Sequence, residues 1–273
     1  KESLIMSGSL MIKAAHKSGS LIIPIDSEHN AILQVITTFG LDYRDVRSNN
    51  TKINHITLTA SGGPFLNFTH KQLLRVTPEQ AVKHPTWKMG KKISIDSATM
   101  MNKGLEIIEA SLLFNLDPKQ IRVLIHPESI VHALVSFSDG SVISHMSNHD
   151  MRVAISYALS WPNRNNIGLK DLDLHNLRSL AFNKVKKNQF KCLDLCIKAL
   201  KLGHNAPTVL NAANEVAVAK FLENKIKFAD IPVIINHALD NMQIVKNSTL
   251  KSILTCDQLT RDRVSDYIKI KWK

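Results

Sequence analysis

The stretch "LIIPIDSEHNAILQVI", residues 21–36, decides the fold class. Its first part, "LIIPI", has the β-branched character of a buried strand, whereas "NAILQVI" (30–36) spaces its apolar residues as a helix does. Asp26, Ser27 and Glu28 therefore fall at a strand-to-helix turn. In open α/β sheets, ligands bind at the carboxyl ends of strands, and side chains two apart in extended chain point the same way. Asp26 and Glu28 can thus converge on one cation. The competing reading is that Asp26 or Ser27 simply caps the following helix.

Working outward, short β-like runs alternate with amphipathic helical patterns up to about residue 160. "SLIIPI", "HITLTA", "KISID" and "RVLIH" read as strands, and the opening segment, 30–38 and 99–114 as helices. "IVHALVSFSDGSVISHM" (130–146) reads as a hairpin turning on Asp139-Gly140, a pair that tolerates the positive backbone angles of a two-residue turn. Residues 161–186 lose periodicity and form a connecting arm; from 187 onward the pattern is helical, clearest in "TVLNAANEVAVAKFLENKI" (208–226) and continuing around 230–244 and 255–269. The expected fold is an α/β domain with a mixed sheet over 1–160, the arm over 161–186, and a small all-α bundle over 187–273.

The 273 residues are 44% hydrophobic, enough to bury a sizeable core. Apolar runs fall well short of the roughly 20 residues of a membrane span, so no membrane association is expected. Three cysteines make neither a disulfide framework nor a zinc signature, which suits a reducing compartment. The net charge of +12 is spread along the chain, lysine outnumbers arginine, and only 5% of residues are aromatic. That composition disfavours a nucleic-acid reader.

In "KISIDSATMMNKGLEIIEASLLF" (92–114) a strand turns into a helix whose core stripe is Met101, Leu105, Ile108 and Leu112. Asn102, Lys103 and Glu106 share the other side within about a 100° arc. They are either a solvated face with a Lys103–Glu106 pair or, with Ser97, a set of donors near a helix N-terminus that suits a phosphate, Glu106 then being a third carboxylate for the cation. Ser97 alone could also be a cap. In "LTASGGPF" (58–65) Gly62 and Gly63 permit positive backbone angles and close approach to a ligand, or simply a tight turn. "HPTWKMGKK" (84–92) sets His84, Trp87, Met89 and Gly90 in a loop without periodicity, either a lid or a packed loop. His126, His132, His145 and His149 lack metal-ligand spacing, and "LNAANE" (210–215) reads as structural.

Taken together, "KES" (1–3), "PIDSEHNAI" (24–32), "LTASGGPF", "HPTWKMGKKISIDSATMMNKGLEIIEA" (84–110), "HPESIVHALVSFSDGSVISHM" (126–146), "DMR" (150–152), "WPNR" (161–164) and "LNAANEVAVA" (210–219) resemble the 1-deoxy-D-xylulose 5-phosphate reductoisomerase family along essentially the whole chain. The resemblance implies conversion of 1-deoxy-D-xylulose 5-phosphate to 2-C-methyl-D-erythritol 4-phosphate, with NADPH and Mg²⁺ or Mn²⁺, in non-mevalonate isoprenoid synthesis. It also implies a homodimer in the bacterial cytoplasm, a plastid location staying open. By motif position, Asp26, Glu28 and Glu106 would hold the metal. Ser27, Ser61, Ser97, Asn102 and Lys103 would bind substrate, the last four around its phosphate. Lys1, Glu28 and His84 would serve catalysis and touch substrate, Trp87 and Met89 would form the lid, and Glu2 and Gly90 would contact NADPH.

Two departures accompany the resemblance. The family begins with a Rossmann-like NADPH domain, whereas this sequence contains no Gly-x-Gly pair and opens on Lys1 rather than methionine. The expectation is therefore a fragment, inactive alone, or else a non-catalytic remnant that keeps fold and dimer contacts. Where the family usually has Gly-x-Pro before "DMR", this chain reads "SNHDMR" (147–152), so contacts there are expected to differ.

Overall fold

The structure is a computed structural model that describes residues 1–46, 53–87, 89–186, 189–246 and 249–272. In chain order its helices are α1 (Glu2–Ser18), α2 (Ser27–Thr38), α3 (His70–Leu73), α4 (Pro78–Ala81), α5 (Lys91–Ala98), α6 (Met101–Leu113), α7 (Met151–Ser160), α8 (Lys191–Leu202), α9 (Ala206–Leu222), α10 (Ile231–Asn241) and α11 (Leu250–Lys271). The strands are β1 (Ile53–Ala60), β2 (Ile121–Ile125), β3 (Val131–Phe137), β4 (Val142–Met146) and β5 (Asn183–Lys184). The chain divides into two compact units. One holds Lys1–Ala14, Gly62–Glu109 and Lys186–Lys273; the other holds Ala15–Ser61 and Ala110–Val185.

The second unit contains the whole sheet, in the order β4-β3-β1-β2-β5. β1 and β2 run parallel, with Ile56 opposite Ile121 and Ala60 opposite Ile125; every other pairing is antiparallel. This is the expected mixed sheet. α2 lies against it with Ala31, Ile32, Leu33 and Ile36 fully buried, the apolar spacing seen in "NAILQVI". The hairpin forms as expected, but only Gly140 has a positive φ (89°), and Phe137 N–H reaches Ser141 O at 2.9 Å. The turn is thus a longer one that ends on a left-handed glycine.

Two expected strands are not strands. "LIIPI" is irregular chain: Pro24 has no N–H to give a ladder, and its carbonyl accepts from Asn30 Nδ2 at 2.9 Å instead, tying the segment to the first turns of α2. "KISID" is helix α5. Its Ile93/Ile95 alternation mimics a strand, but Lys92 and Asp96 pair at 2.8 Å across an i,i+4 interval that only a helix closes. The arm is largely irregular, as expected, and contributes the two-residue β5. His126 fastens it: its ring stacks on Phe182 at 4.7 Å, its Nδ1 meets Ala181 O at 2.9 Å, and its Nε2 accepts from the N–H groups of Ile130 and Val131. In "SNHDMR", Asp150 caps α7 by accepting from Arg152 N–H at 2.9 Å.

The first unit is helical, with α9 packed by α8, α10 and α11. α9 is apolar on nearly all sides, and buries Asn211 and Asn214 completely. No helix among the described residues is long and apolar enough to cross a membrane.

Candidate functional site

In the sheet-bearing unit, Asp26 is the N-cap residue of α2 by position, yet its side chain caps no N–H. The capping reading fails for Asp26. One Asp26 oxygen lies within 4.8 Å of a Glu28 oxygen and one within 4.8 Å of a His29 ring nitrogen. Ser27 Oγ donates to Glu28 Oε2 at 2.5 Å. Sequence reasoning assigned no role to His29, whose position one residue after Glu28 in the first turn was the available signal. Ser61 directly follows β1 in the same unit and is half-buried.

In the helical unit, α6 carries the expected polar face, but that face is not solvated. Lys103, Glu106 and Glu109 are all buried, Glu106 completely. Lys103 Nζ pairs with Glu106 Oε2, and Asn102 Nδ2 donates to Glu106 Oε1. Lys1 Nζ reaches Asn102 Oδ1 at 2.9 Å, Glu106 Oε1 at 3.5 Å and Glu109 Oε2 at 3.6 Å. Two ammonium groups thus offset two buried carboxylates. Sequence reasoning missed Glu109, which lies one turn from Glu106 on the same helix face.

A second chain of charges runs through the same unit. Lys92 Nζ binds Glu2 at 2.6 Å and Asp96 at 2.8 Å, and Asn214 Nδ2 donates to Asp96 Oδ1 at 2.9 Å. Burial raises the Asp96 carboxyl above its usual range despite Lys92; for Glu2 burial also pushes upward, but the Lys92 ammonium outweighs it and lowers the value. "LNAANE" accordingly has a definite structural task, since Asn214 holds the residue that precedes Ser97. Ser97 itself sits near the end of α5, three residues before Met100, which adopts φ 61° in the break between α5 and α6. It is therefore not the N-cap that a strand-to-helix reading implied.

Gly63 (φ 69°) does need to be glycine, although what approaches it is protein: a Cβ there would lie 2.8 Å from Ser97 O and 2.9 Å from Ala98 Cα. Gly90 is the exposed N-cap of α5, two residues before the Lys92 that holds Glu2. His84 Nδ1 accepts from the N–H groups of Thr86 (3.2 Å) and Trp87 (3.0 Å), which fixes the start of the loop and leaves Nε2 to carry the ring proton of the neutral form. Trp87 and Met89 are half-buried, and Lys88 between them lies outside the described residues.

Two family profiles match the chain, the 1-deoxy-D-xylulose 5-phosphate reductoisomerase C-terminal domain over residues 22–114 and the DXP reductoisomerase C-terminal domain over 146–263. The 1-deoxy-D-xylulose 5-phosphate reductoisomerase of Pseudomonas aeruginosa strain UCBPP-PA14 is 47% identical over 268 residues, covering 98% of this chain and 67% of that protein. The Lawsonia intracellularis enzyme of the same name is 46% identical, covering 99% and 65%. A crystal structure of DOX-P reductoisomerase in complex with NADPH, fosmidomycin and magnesium superposes with a TM-score of 0.93 at 45% identity, covering 98% of this chain and 68% of that one. The Zymomonas mobilis reductoisomerase in complex with NADPH gives 0.88 at 40% identity, covering 98% and 67%. The chain spans about two thirds of the length of the relatives it matches.

Proposed function

Because the chain belongs to the 1-deoxy-D-xylulose 5-phosphate reductoisomerase family, we propose that it serves that family's reaction, the isomerisation and NADPH-dependent reduction of 1-deoxy-D-xylulose 5-phosphate to 2-C-methyl-D-erythritol 4-phosphate, in a bacterial cytoplasm. The observation that carries the reading is the fate of the carboxylates: Asp26 is not spent on capping, lies beside Glu28, and Glu106 is kept buried by two lysines.

Asp26, Glu28 and Glu106 are the proposed ligands of one divalent cation. An all-carboxylate set is the hard-oxygen chemistry that Mg²⁺ and Mn²⁺ select, so the residues fit the ion. When bound, the cation supplies Lewis acidity at neighbouring substrate oxygens and NADPH supplies hydride. The chain's own groups do the rest. Lys103, Asn102, Ser97 and Ser61 provide cation, amide and hydroxyl donors for a phosphate, an anchor remote from the reacting carbons. Ser27 and Glu28 bind the sugar end, Glu28 with Lys1 and His84 holding or passing protons there. The loop with Trp87 and Met89 excludes water from a reactive aldehyde. Glu2, fixed by Lys92, and Gly90 face the nicotinamide nucleotide. The domain roles follow: residues 1–160 carry the chemistry, 161–186 connect, and 187–273 brace α5 and α6. A homodimer completes the reading, supported by the exposed apolar residues Met151, Ile155 and Leu159 along α7.

The test is Glu106→Gln in the full natural chain. Mn²⁺ affinity, read by electron paramagnetic resonance, is expected to fall about 10- to 100-fold, and NADPH absorbance loss with substrate to fall with it, while the far-ultraviolet circular dichroism is retained. Unchanged metal dependence would overturn the ligand assignment; no NADPH oxidation by the unaltered full chain would overturn the reaction.

A further inference from the structure

Within the helical unit, the start of α1 carries Lys1 and Glu2, and the helix does not run straight on from them. Ser7 has φ −128° and ψ 20°, against about −63° and −42° in regular helix, so α1 is two helical pieces joined at a kink. No proline lies in this helix. The kink falls instead on the Ser7-Gly8 pair, where Ser7 Oγ donates back to Ser3 O at 2.7 Å, a bond that bends helices.

A second bond meets the kink from another helix. Thr208 Oγ1, on α9, donates to Met6 O at 3.1 Å, across 202 residues of chain. Thr208 is buried in a helix that is otherwise nearly all apolar. A buried hydroxyl needs a partner, and threonine in a helix commonly takes the carbonyl one turn back; this one is directed at α1.

What the kink aims is the short piece before it. Lys1 Nζ reaches Asn102 Oδ1 at 2.9 Å and the Glu106 and Glu109 carboxylates at 3.5 and 3.6 Å, while Glu2 meets Lys92 at 2.6 Å. Lys1 lies six residues before Ser7, a lever of about 9 Å, so re-aiming this piece by about 20° would carry Lys1 about 3 Å away from those partners. We propose that Thr208 is a positioning residue for the reaction: by holding the Met6 carbonyl it fixes the kink at Ser7, and so aims Lys1 at α6 and Glu2 at Lys92. The kinetic consequence rests on the roles proposed above for Lys1 and Glu2; the placement does not.

The test compares Thr208→Val, which keeps the shape and deletes the hydroxyl, with Thr208→Ser, which keeps the hydroxyl, in the full natural chain. Placement is read by acetic anhydride labelling and peptide mass spectrometry, which needs no activity. Lys1 should acetylate about threefold faster or more in Thr208→Val and at the unaltered rate in Thr208→Ser, while the buried Lys103 stays protected in both. Ser7→Ala, at a half-buried position, is a second variant that relaxes the kink from its other side and should also speed Lys1 labelling. In NADPH oxidation, kcat should fall about tenfold and the KM for NADPH rise in Thr208→Val, both recovering in Thr208→Ser. Lys1 labelling indifferent to Thr208→Val and Ser7→Ala, acceleration shared by Lys103, or equal losses in the Val and Ser variants would overturn the role. Faster labelling with unaltered kinetics would overturn its service to the reaction. No NADPH oxidation by the unaltered full chain would overturn the proposed reaction instead, and labelling would still decide whether Thr208 places Lys1.

Discussion

His145 on β4 faces His132 at 6.0 Å between ring centroids, and its buried Nδ1 has no hydrogen-bond partner. Burial, reinforced by His132 and Arg164, lowers its pKa from 6.5 to about 4. The folded state therefore refuses a proton that the unfolded chain accepts. Above 6.5 both states hold neutral imidazole and its full contribution to stability is present; that contribution is lost as pH falls from about 6.5 toward 4. At pH 5 the loss should be about 2 kcal/mol relative to pH 7. Urea unfolding at the two pH values should show it, and His145→Asn should flatten the difference; an unaltered difference would assign the pH dependence to other groups. At this scale the sequence was a partial guide. It marked Asp26, Glu28, Lys103 and Glu106 through residue type and spacing. Depth was illegible, because the fact that Lys103 and Glu106 are buried depends on Lys1, about a hundred residues away along the chain.

Among the elements, the two turn glycines separate a conformational need from a spatial one. Gly140 (φ 89°) has open space where a Cβ would go, so Gly140→Ala should cost only the backbone strain, about 1 kcal/mol. Gly63 (φ 69°) has backbone atoms of Ser97 and Ala98 at 2.8 and 2.9 Å from that point, and backbone cannot swing aside as a side chain can. Gly63→Ala should therefore cost about 3 kcal/mol or more. Thermal unfolding of both variants checks the ordering, and equal losses would show that the "SGG" turn can move away from α5. The same contrast explains which elements could be read in advance. β1, β2, the hairpin and α9 have patterns that match their partners. "LIIPI" and "KISID" pass the same test for β-branching, but Pro24 and the Lys92–Asp96 pair overrule it, and such side-chain bonds leave no trace in apolar periodicity.

For the whole molecule, the proposed dimer rests on the outer face of α7. α7 buries Ala154 and Tyr157 on its inner face and presents Met151, Ile155 and Leu159 at four-residue spacing outward, with Leu159 84% exposed. A helix in a solitary protein ordinarily turns polar residues to water, and a leucine exposed to this degree gains nothing from folding unless something else covers it. A second copy of the chain supplies an identical apolar row, which a two-fold contact would bring against the first. Leu159→Asp puts a charge into that contact while disturbing nothing inside the unit. Sedimentation velocity should therefore show the unaltered protein as a dimer and the variant as a monomer with unchanged circular dichroism. A variant that stays dimeric would move the contact off α7, and an unaltered protein that is monomeric at micromolar concentration would remove the dimer from the proposal.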